Sequence, residues 1–287
     1  MNISKTYRVR RRGRRTSLLA VVLLIAVMLG CASQPKPYVV LYAFSEEGRL
    51  LGEQMTATRR VEHLGRTVTV GNLSGKMVVL AEAGIGMSNA AMTTQKMIDE
   101  YNPVAVIMTG IAGAIDTSVS IGDIVVCREW MQHDYGYIGG EGFEPDDVPA
   151  YMPHADSVVK VDAFTVDSTM FAVARSLETA MVALDSVGTR RPRVIVGGVG
   201  VSGNSFIDSE EKRLWLNGEF DAVITDMESA AVALVCAVNG IPFIVFRSAS
   251  DLAGGSGSET AGAELEEFFQ IAADNSSKVV AGYLGEL

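Results

Sequence analysis

Along most of this chain, short apolar runs rich in β-branched residues alternate with longer stretches of helical character, and no other feature restricts the fold as much. The runs occupy residues 38–44, 67–73, 77–81, 104–109, 124–130, 194–201, 222–225 and 243–248. Several are continuously apolar, as expected of strands covered on both faces. The helical stretches occupy 46–55, 88–101, 161–184, 209–216, 228–239 and 260–284, with Ser88 and Ser209 as expected N-caps and Gly240 before Ile241-Pro242 as a stop. The alternation predicts an α/β fold: a single domain of three layers, α/β/α, around a mixed, largely parallel central sheet. Gly, Asp, Glu and Pro dominate residues 134–153, which predicts a long irregular loop there.

The first thirty residues depart from this pattern and read as a signal peptide. Lys5, Arg8, Arg10, Arg11, Arg12, Arg14 and Arg15 make a basic segment, and the twelve residues 18–29 that follow are all apolar. A membrane-spanning helix needs about 20 such residues, so this run has the length of a signal-peptide core. Gly30 then precedes Cys31, the arrangement at which a bacterial lipoprotein is cut and acylated, although Met28 stands where Leu is usual. The competing reading is a short uncleaved anchor with an incidental cysteine. Arg14-Arg15 hints at twin-arginine export, but the rest of that motif is weak. The expected organisation is therefore a signal peptide over 1–30, a lipidated Cys31 and linker over 31–37, and a folded domain over 38–287. The expected location is outside the cytoplasm, periplasmic or at the cell surface, with the membrane touched through the lipid alone.

Loss of that segment changes the charge balance. Seven bases leave and no acid does, so 24 bases against 34 acids become 17 against 34, a net charge of −17 in place of −10. A surface that acidic repels nucleic acid and anionic lipid, which excludes nucleic acid as a partner. Cys127 and Cys236, far apart in apolar surroundings, read as buried thiols, and His63, His133 and His154 lack metal-ligand spacing. No metal and no cofactor is expected.

In an open α/β sheet, ligands bind beyond the carboxyl ends of the strands. The residues just after each apolar run are Ser45-Glu46-Glu47, Ala83-Gly84-Ile85-Gly86, Thr109-Gly110-Ile111-Ala112-Gly113, Ser202-Gly203-Asn204-Ser205-Phe206-Ile207, Asp226-Met227-Glu228 and Ser250-Asp251. Each is weak alone. The glycine turns suit any tight strand-to-helix connection, Glu47 and Glu228 suit the first turn of a helix, and Asp251 suits a cap. Together they bring three carboxylates, two glycine turns and an aromatic to one rim.

Their order resembles the purine nucleoside phosphorylase superfamily, and most closely its 5′-methylthioadenosine/S-adenosylhomocysteine nucleosidases, over nearly all of residues 38–287. The resemblance implies a nucleoside phosphorylase-like catalytic domain that hydrolyses the N-glycosidic bond of a purine nucleoside and releases adenine. It implies that Glu47 activates water and that Asp251 protonates the purine at N7. Glu228, beside Met227, would accept the ribose hydroxyls, Phe206 would stack on the base, and the Ile207 main chain would read its edge. Ile85 would touch the 5′ substituent. Ile111, Ala112, Gly113, Asp226, Ser250 and Arg247 would complete the substrate site, Arg247 helping to hold the water. Ile111 stands where these nucleosidases carry a serine that contacts the water, which removes one orienting hydrogen bond. Asp226 shortens a position that is commonly Glu. The His133-Asp134 pair is expected at the rim or in a structural role. The family also implies a homodimer.

Hydrolysis is expected over phosphorolysis. A phosphate dianion needs basic donors beside the ribose, and residues 108–113 supply none. Arg49 reads as a solvated helix residue, and Glu47 at the nucleophile site would repel the anion. The alternatives are a phosphate-dependent phosphorylase and a surface lipoprotein that keeps the fold as a nucleoside-binding or host-binding module. The lipid anchor motivates the second, because a cytosolic nucleoside would not meet the protein outside the membrane.

Overall fold

The computed structural model describes residues 35–180 and 182–287. The expected signal peptide and Cys31 lie outside the described residues.

The sheet grows outward from one long strand. β1 (Tyr38–Tyr42) is followed by α1 (Ser45–Gln54), then β2 (Thr56–His63), β3 (Arg66–Leu73), β4 (Lys76–Glu82) and α2 (Met87–Tyr101). β5 (Ala105–Ala114) comes next, then β6 (Ile124–Val126), β7 (Glu129–Gln132), β8 (Gly136–Gly139), β9 (Gly142–Pro145), β10 (Val148–Ala150), β11 (Val159–Val161), β12 (Phe164–Thr165) and α3 (Ser168–Ser176). The remainder is β13 (Val194–Val196), β14 (Val199–Ser202), α4 (Glu210–Phe220), β15 (Ala222–Asp226), α5 (Ser229–Asn239), β16 (Phe243–Leu252) and α6 (Ala261–Glu286).

Twelve of these strands form one mixed sheet in the order β12-β7-β14-β15-β5-β1-β4-β3-β2, with β16 beside β5 and β6, and β13 on β6. The pairings β1–β4, β1–β5, β5–β16 and β14–β15 are parallel, β2–β3 and β3–β4 at one margin are antiparallel, and β5–β15 and β6–β16 are antiparallel within the sheet. The fold is thus the three-layer α/β architecture with a mixed, largely parallel sheet that the alternation predicted.

β5 carries two different neighbours on one edge. Ala105–Met108 face β1, whereas Gly113 and Ala114 face β15, which runs antiparallel to it. Between them the strand continues past the expected turn at 109–113 because β16 stays paired along its other edge through Leu252. β16 likewise runs on through Ser250 and Asp251, with a bulge between Ala249 and Asp251.

Elsewhere the expected boundaries shift for local reasons. The 124–130 and 194–201 runs each break in two. Gly197 and Gly198 sit at φ 140° and 79°, and the matched breaks move the chain from the β6–β13 pair to the β7–β14 pair. The expected helix 161–184 shrinks to α3 because Phe164–Thr165 pair with β7 and Asp167 then caps the helix, accepting the Thr169 and Met170 N–H groups. Residues 134–153, expected to be irregular, contain the β8–β9 hairpin and β10. α2 is preceded by Gly86, not capped by Ser88, whereas the Ser209 hydroxyl caps α4 as expected by accepting the Lys212 N–H.

Val39, Leu41, Val79, Ile107, Val245 and Phe246 fill the core without solvent exposure or nearly so, each worth about 1.5–3 kcal/mol of burial. Cys127 and Cys236 are free, buried thiols in that core, as expected. Helix α6 crosses it with a polar stripe that aims at the carboxyl ends of the strands. The Ser276 hydroxyl bonds Thr109 (2.8 Å) and the Phe246 carbonyl (3.1 Å), and the Ser277 hydroxyl donates to the Glu47 carbonyl (2.9 Å). Buried polar groups of this kind stay only where they are bonded, so they fix α6, β5, β16 and α1 in one register around the cleft.

Candidate active site

A cleft of about 340 Å³ opens at the carboxyl ends of these strands, a size suited to a small ligand. Glu47 and Asp251 border it, with Glu228, Met227, Asp226, Phe206, Ile207, Ile85, Ile111, Ala112, Gly113 and Ser250. Every residue expected at the site therefore reaches it except Arg247. Its guanidinium lies wholly buried behind the carboxylates, so it acts on them and does not line the cleft as a substrate contact would.

Glu47 sits in the first turn of α1, and its side chain folds back onto the chain. Oε2 accepts the Ala43 N–H (2.5 Å), Oε1 accepts the Ile111 N–H (2.8 Å), and Arg247 Nη1 stands 3.6 Å from Oε1. Gly110 makes this possible. At φ 153°, a Cβ there would lie 2.3 Å from both Glu47 Oε1 and Arg247 Nη1. The side-chain hydroxyl that Ile111 lacks is separate from this support, because its backbone N–H holds Glu47 and its carbonyl accepts from Arg247 Nη1 (3.2 Å).

Glu228 is the N-cap of α5. Its Oε1 accepts the Gly86 N–H (2.8 Å) and its Oε2 meets Arg247 Nη2 (3.1 Å). Asp226 meets Arg247 Nε at 2.7 Å and accepts the Ser202 hydroxyl, the Ser229 hydroxyl and the N–H groups of Glu228 and Ser229. Both its oxygens are thus engaged within the protein, although the residue borders the cleft. One guanidinium serves three buried acids. Burial outweighs its attraction, so the Glu47 carboxyl is pushed up to about 7 and that of Glu228 is raised as well.

Asp251 lies across the cleft in a poorer environment. Its Oδ2 accepts the Ser250 hydroxyl (2.8 Å), while Oδ1 is buried with no partner among the described residues. Burial raises this carboxyl to about 7, Ser250 lowers it somewhat, and Glu264 and Asp208 raise it further. Both carboxyls are raised to about 7, and they differ in the groups that meet the charged form: two N–H donors and a guanidinium for Glu47, one hydroxyl for Asp251.

Phe206 and Ile85 are half-exposed at the mouth, and Ile207 is buried beneath. His133 is buried and its pKa is lowered by burial. Asp134 accepts the Asn204 N–H (2.8 Å), and neither residue lines the cleft. Arg49 pairs with Glu53 (3.0 Å) and Asp274 (2.8 Å) at the surface. Ala43, Phe44, Thr225 and Leu265 line the cleft outside the sequence motifs, and Ser205 lines it from within the 202–207 motif without an expected role. The first three lie beside motif residues, which is a usable signal. Leu265 comes from α6, distant in sequence, and carries none.

The sequence matches the profile of the Phosphorylase superfamily over residues 37–285. It is 33% identical over 254 residues to the 5′-methylthioadenosine/S-adenosylhomocysteine nucleosidase of Colwellia psychrerythraea, covering 86% of this chain and 95% of that one. It is 35% identical over 245 residues to the nucleosidase of the same name from Staphylococcus epidermidis, covering 84% and 96%. The crystal structure of the Colwellia psychrerythraea nucleosidase in complex with adenine superposes with a TM-score of 0.74 at 31% identity, covering 88% of this chain and 96% of that one. With this cleft, this sheet and these relatives, the chain belongs to the phosphorylase superfamily, among its 5′-methylthioadenosine/S-adenosylhomocysteine nucleosidases.

Proposed function

We propose that this protein hydrolyses the N-glycosidic bond of 5′-methylthioadenosine and S-adenosylhomocysteine, releasing adenine. One observation carries the choice of hydrolysis: among the described residues, the cleft is lined by carboxylates and no Lys or Arg. A phosphate dianion would find no cationic donor there and would face Glu47. Water suffers neither penalty.

In this reading Asp251 gives its proton to the purine N7 as the bond between the anomeric carbon and N9 lengthens. Positive charge grows on the ribose, and Glu228 accepts hydrogen bonds from the ribose hydroxyls. Glu47 takes a proton from water as the oxygen bonds to the anomeric carbon. Phe206 stacks on the base, and the Ile207 main chain meets its edge. Ile85 faces the 5′ group. With both carboxyls near 7, the productive form, with Asp251 protonated and Glu47 ionised, is populated near neutral pH, and the Ala43 and Ile111 N–H groups are placed to hold the charge on Glu47.

The reading extends to the whole chain. The basic segment, the apolar run and Cys31 support export as a lipoprotein anchored at the membrane, periplasmic or at the cell surface, and the family supports a homodimer. The test is to incubate residues 34–287 with methylthioadenosine, with and without phosphate, and to quantify adenine and sugar products. Adenine release independent of phosphate is expected. Turnover that requires phosphate and yields a ribose 1-phosphate would overturn it. Globomycin-sensitive processing and acylation of Cys31 in a bacterial host would test the anchor.

A further inference from the structure

The acid of the proposed mechanism has a neighbour that the sequence motifs did not single out. Glu264, in the first turn of α6, is 3% exposed. Its Oε2 accepts the N–H of Leu252 at 2.8 Å. Leu252 follows Asp251 directly, just past the bulge at which β16 leaves its regular register with β5. β6 pairs with β16 only at Arg247 and Ser248, and the next N–H groups on that side require other acceptors. A carboxylate from α6 therefore ends the strand and fixes the backbone that presents Asp251.

The surroundings have one sign. β5 contributes Gly113, whose missing Cβ would lie 2.9 Å from Asp251 Oδ1, and β16 contributes the Ser250 hydroxyl. The charged groups acting on Asp251 are Glu264 from α6 and Asp208 from the segment before α4, and both are acids. Asp208 is itself held at the start of α6, accepting the Ala261 N–H (2.9 Å), where the helix end favours a negative group. Glu47, by contrast, has Arg247 at 3.6 Å as well as the like charge of Glu228. The two sides of the cleft thus differ in that only the Glu47 side has a cation acting on its carboxyl, and in hydrogen bonds. Resting on the proposed hydrolysis, we infer that Glu264 is the positioning residue for the acid, fixing the backbone turn that aims Asp251 and supplying the acidic neighbour that reserves its proton.

Glu264→Gln separates these effects, because the amide oxygen can still accept the Leu252 N–H while the charge is gone. The sign follows from Coulomb's law: removing a nearby negative charge makes Asp251 easier to ionise. Its proton is then lost at lower pH, and the alkaline limb of the kcat profile moves down. A shift of about half to one pH unit is expected, with kcat at pH 8 falling about three- to tenfold and KM within twofold. A purely structural role would lower stability and leave the shape of the profile unchanged. A profile superimposable on that of the unaltered protein would overturn the inference. A second measurement is independent of turnover: the carboxyl ¹³C resonance that disappears in Asp251→Asn should titrate lower in Glu264→Gln, and an unchanged midpoint would also overturn it. An unaltered protein that releases no adenine would refute the proposed hydrolysis, and the ¹³C midpoint would still decide the role of Glu264.

Discussion

Replacing Asp251 by Asn should inactivate the protein and stabilise it, and the stabilisation should grow with pH. Asp251 is 2% exposed, its Oδ1 lacks a partner among the described residues, and its pKa rises from 3.8 to about 7 on folding. A group whose pKa is raised in the folded state contributes stability that is complete below the unfolded value and is lost as pH passes through the folded value. Each pH unit of that interval is about 1.4 kcal/mol, so the folded protein forfeits about 4 kcal/mol between pH 3.8 and 7. Asn has no charge to desolvate, and its carbonyl can accept the Ser250 hydroxyl in place of Oδ2. The difference in unfolding free energy, variant minus unaltered, should therefore be under about 1 kcal/mol at pH 4 and approach about 4 kcal/mol at pH 8. Urea unfolding of both proteins at half-unit steps of pH measures it directly. A difference that stays flat across this range would refute the reasoning, because only a carboxyl held in an unfavourable charged form produces a slope.

The remaining predictions concern the other side of the cleft. Glu47→Gln should lower kcat by about 10²–10⁴ while nucleoside binding by calorimetry persists; loss of binding alone would argue against its role as base. Gly110→Ala should cost about 1–3 kcal/mol and most of the activity, since its Cβ would collide with Glu47 and Arg247; thermal unfolding and turnover would show both. Phe206→Ala should raise KM about tenfold, the loss of roughly one stacking contact, and leave kcat nearly unchanged.

The fold was legible wherever burial on both faces wrote a continuous apolar run. β1, β4 and β15 were found within two residues for this reason. β2 was missed because Thr56–His63 is a marginal strand that carries Arg59, Arg60 and Glu62 and is mostly exposed, with neither alternation nor an apolar run to announce it. Residues 134–153 read as a loop from sequence because a short exposed hairpin uses the same Gly and Pro residues as irregular chain. At the site, Glu47, Glu228 and Asp251 were legible because each follows a strand that can be recognised. Arg247 was placed with the substrate because sequence order does not distinguish the face of β16 on which a side chain lies. Leu265 and Glu264 were invisible for a different reason: α6 reaches the cleft through tertiary packing, and nothing local marks which of its turns arrives there.

The change of neighbours along β5 has a consequence for how relatives can diverge. Between Met108, where β1 stops, and Gly113, where β15 begins, one edge of the strand has no strand beside it among the described residues, and there the main chain at residue 111 grips Glu47 with its N–H and Arg247 with its carbonyl. Those grips belong to the peptide and not to any side chain. Residue 111 is therefore free to drift between lineages, polar in one and aliphatic in another, without dismantling the base beneath it. The glycine before it has no such latitude, and an insertion or deletion within the segment would be far more damaging than any exchange at 111.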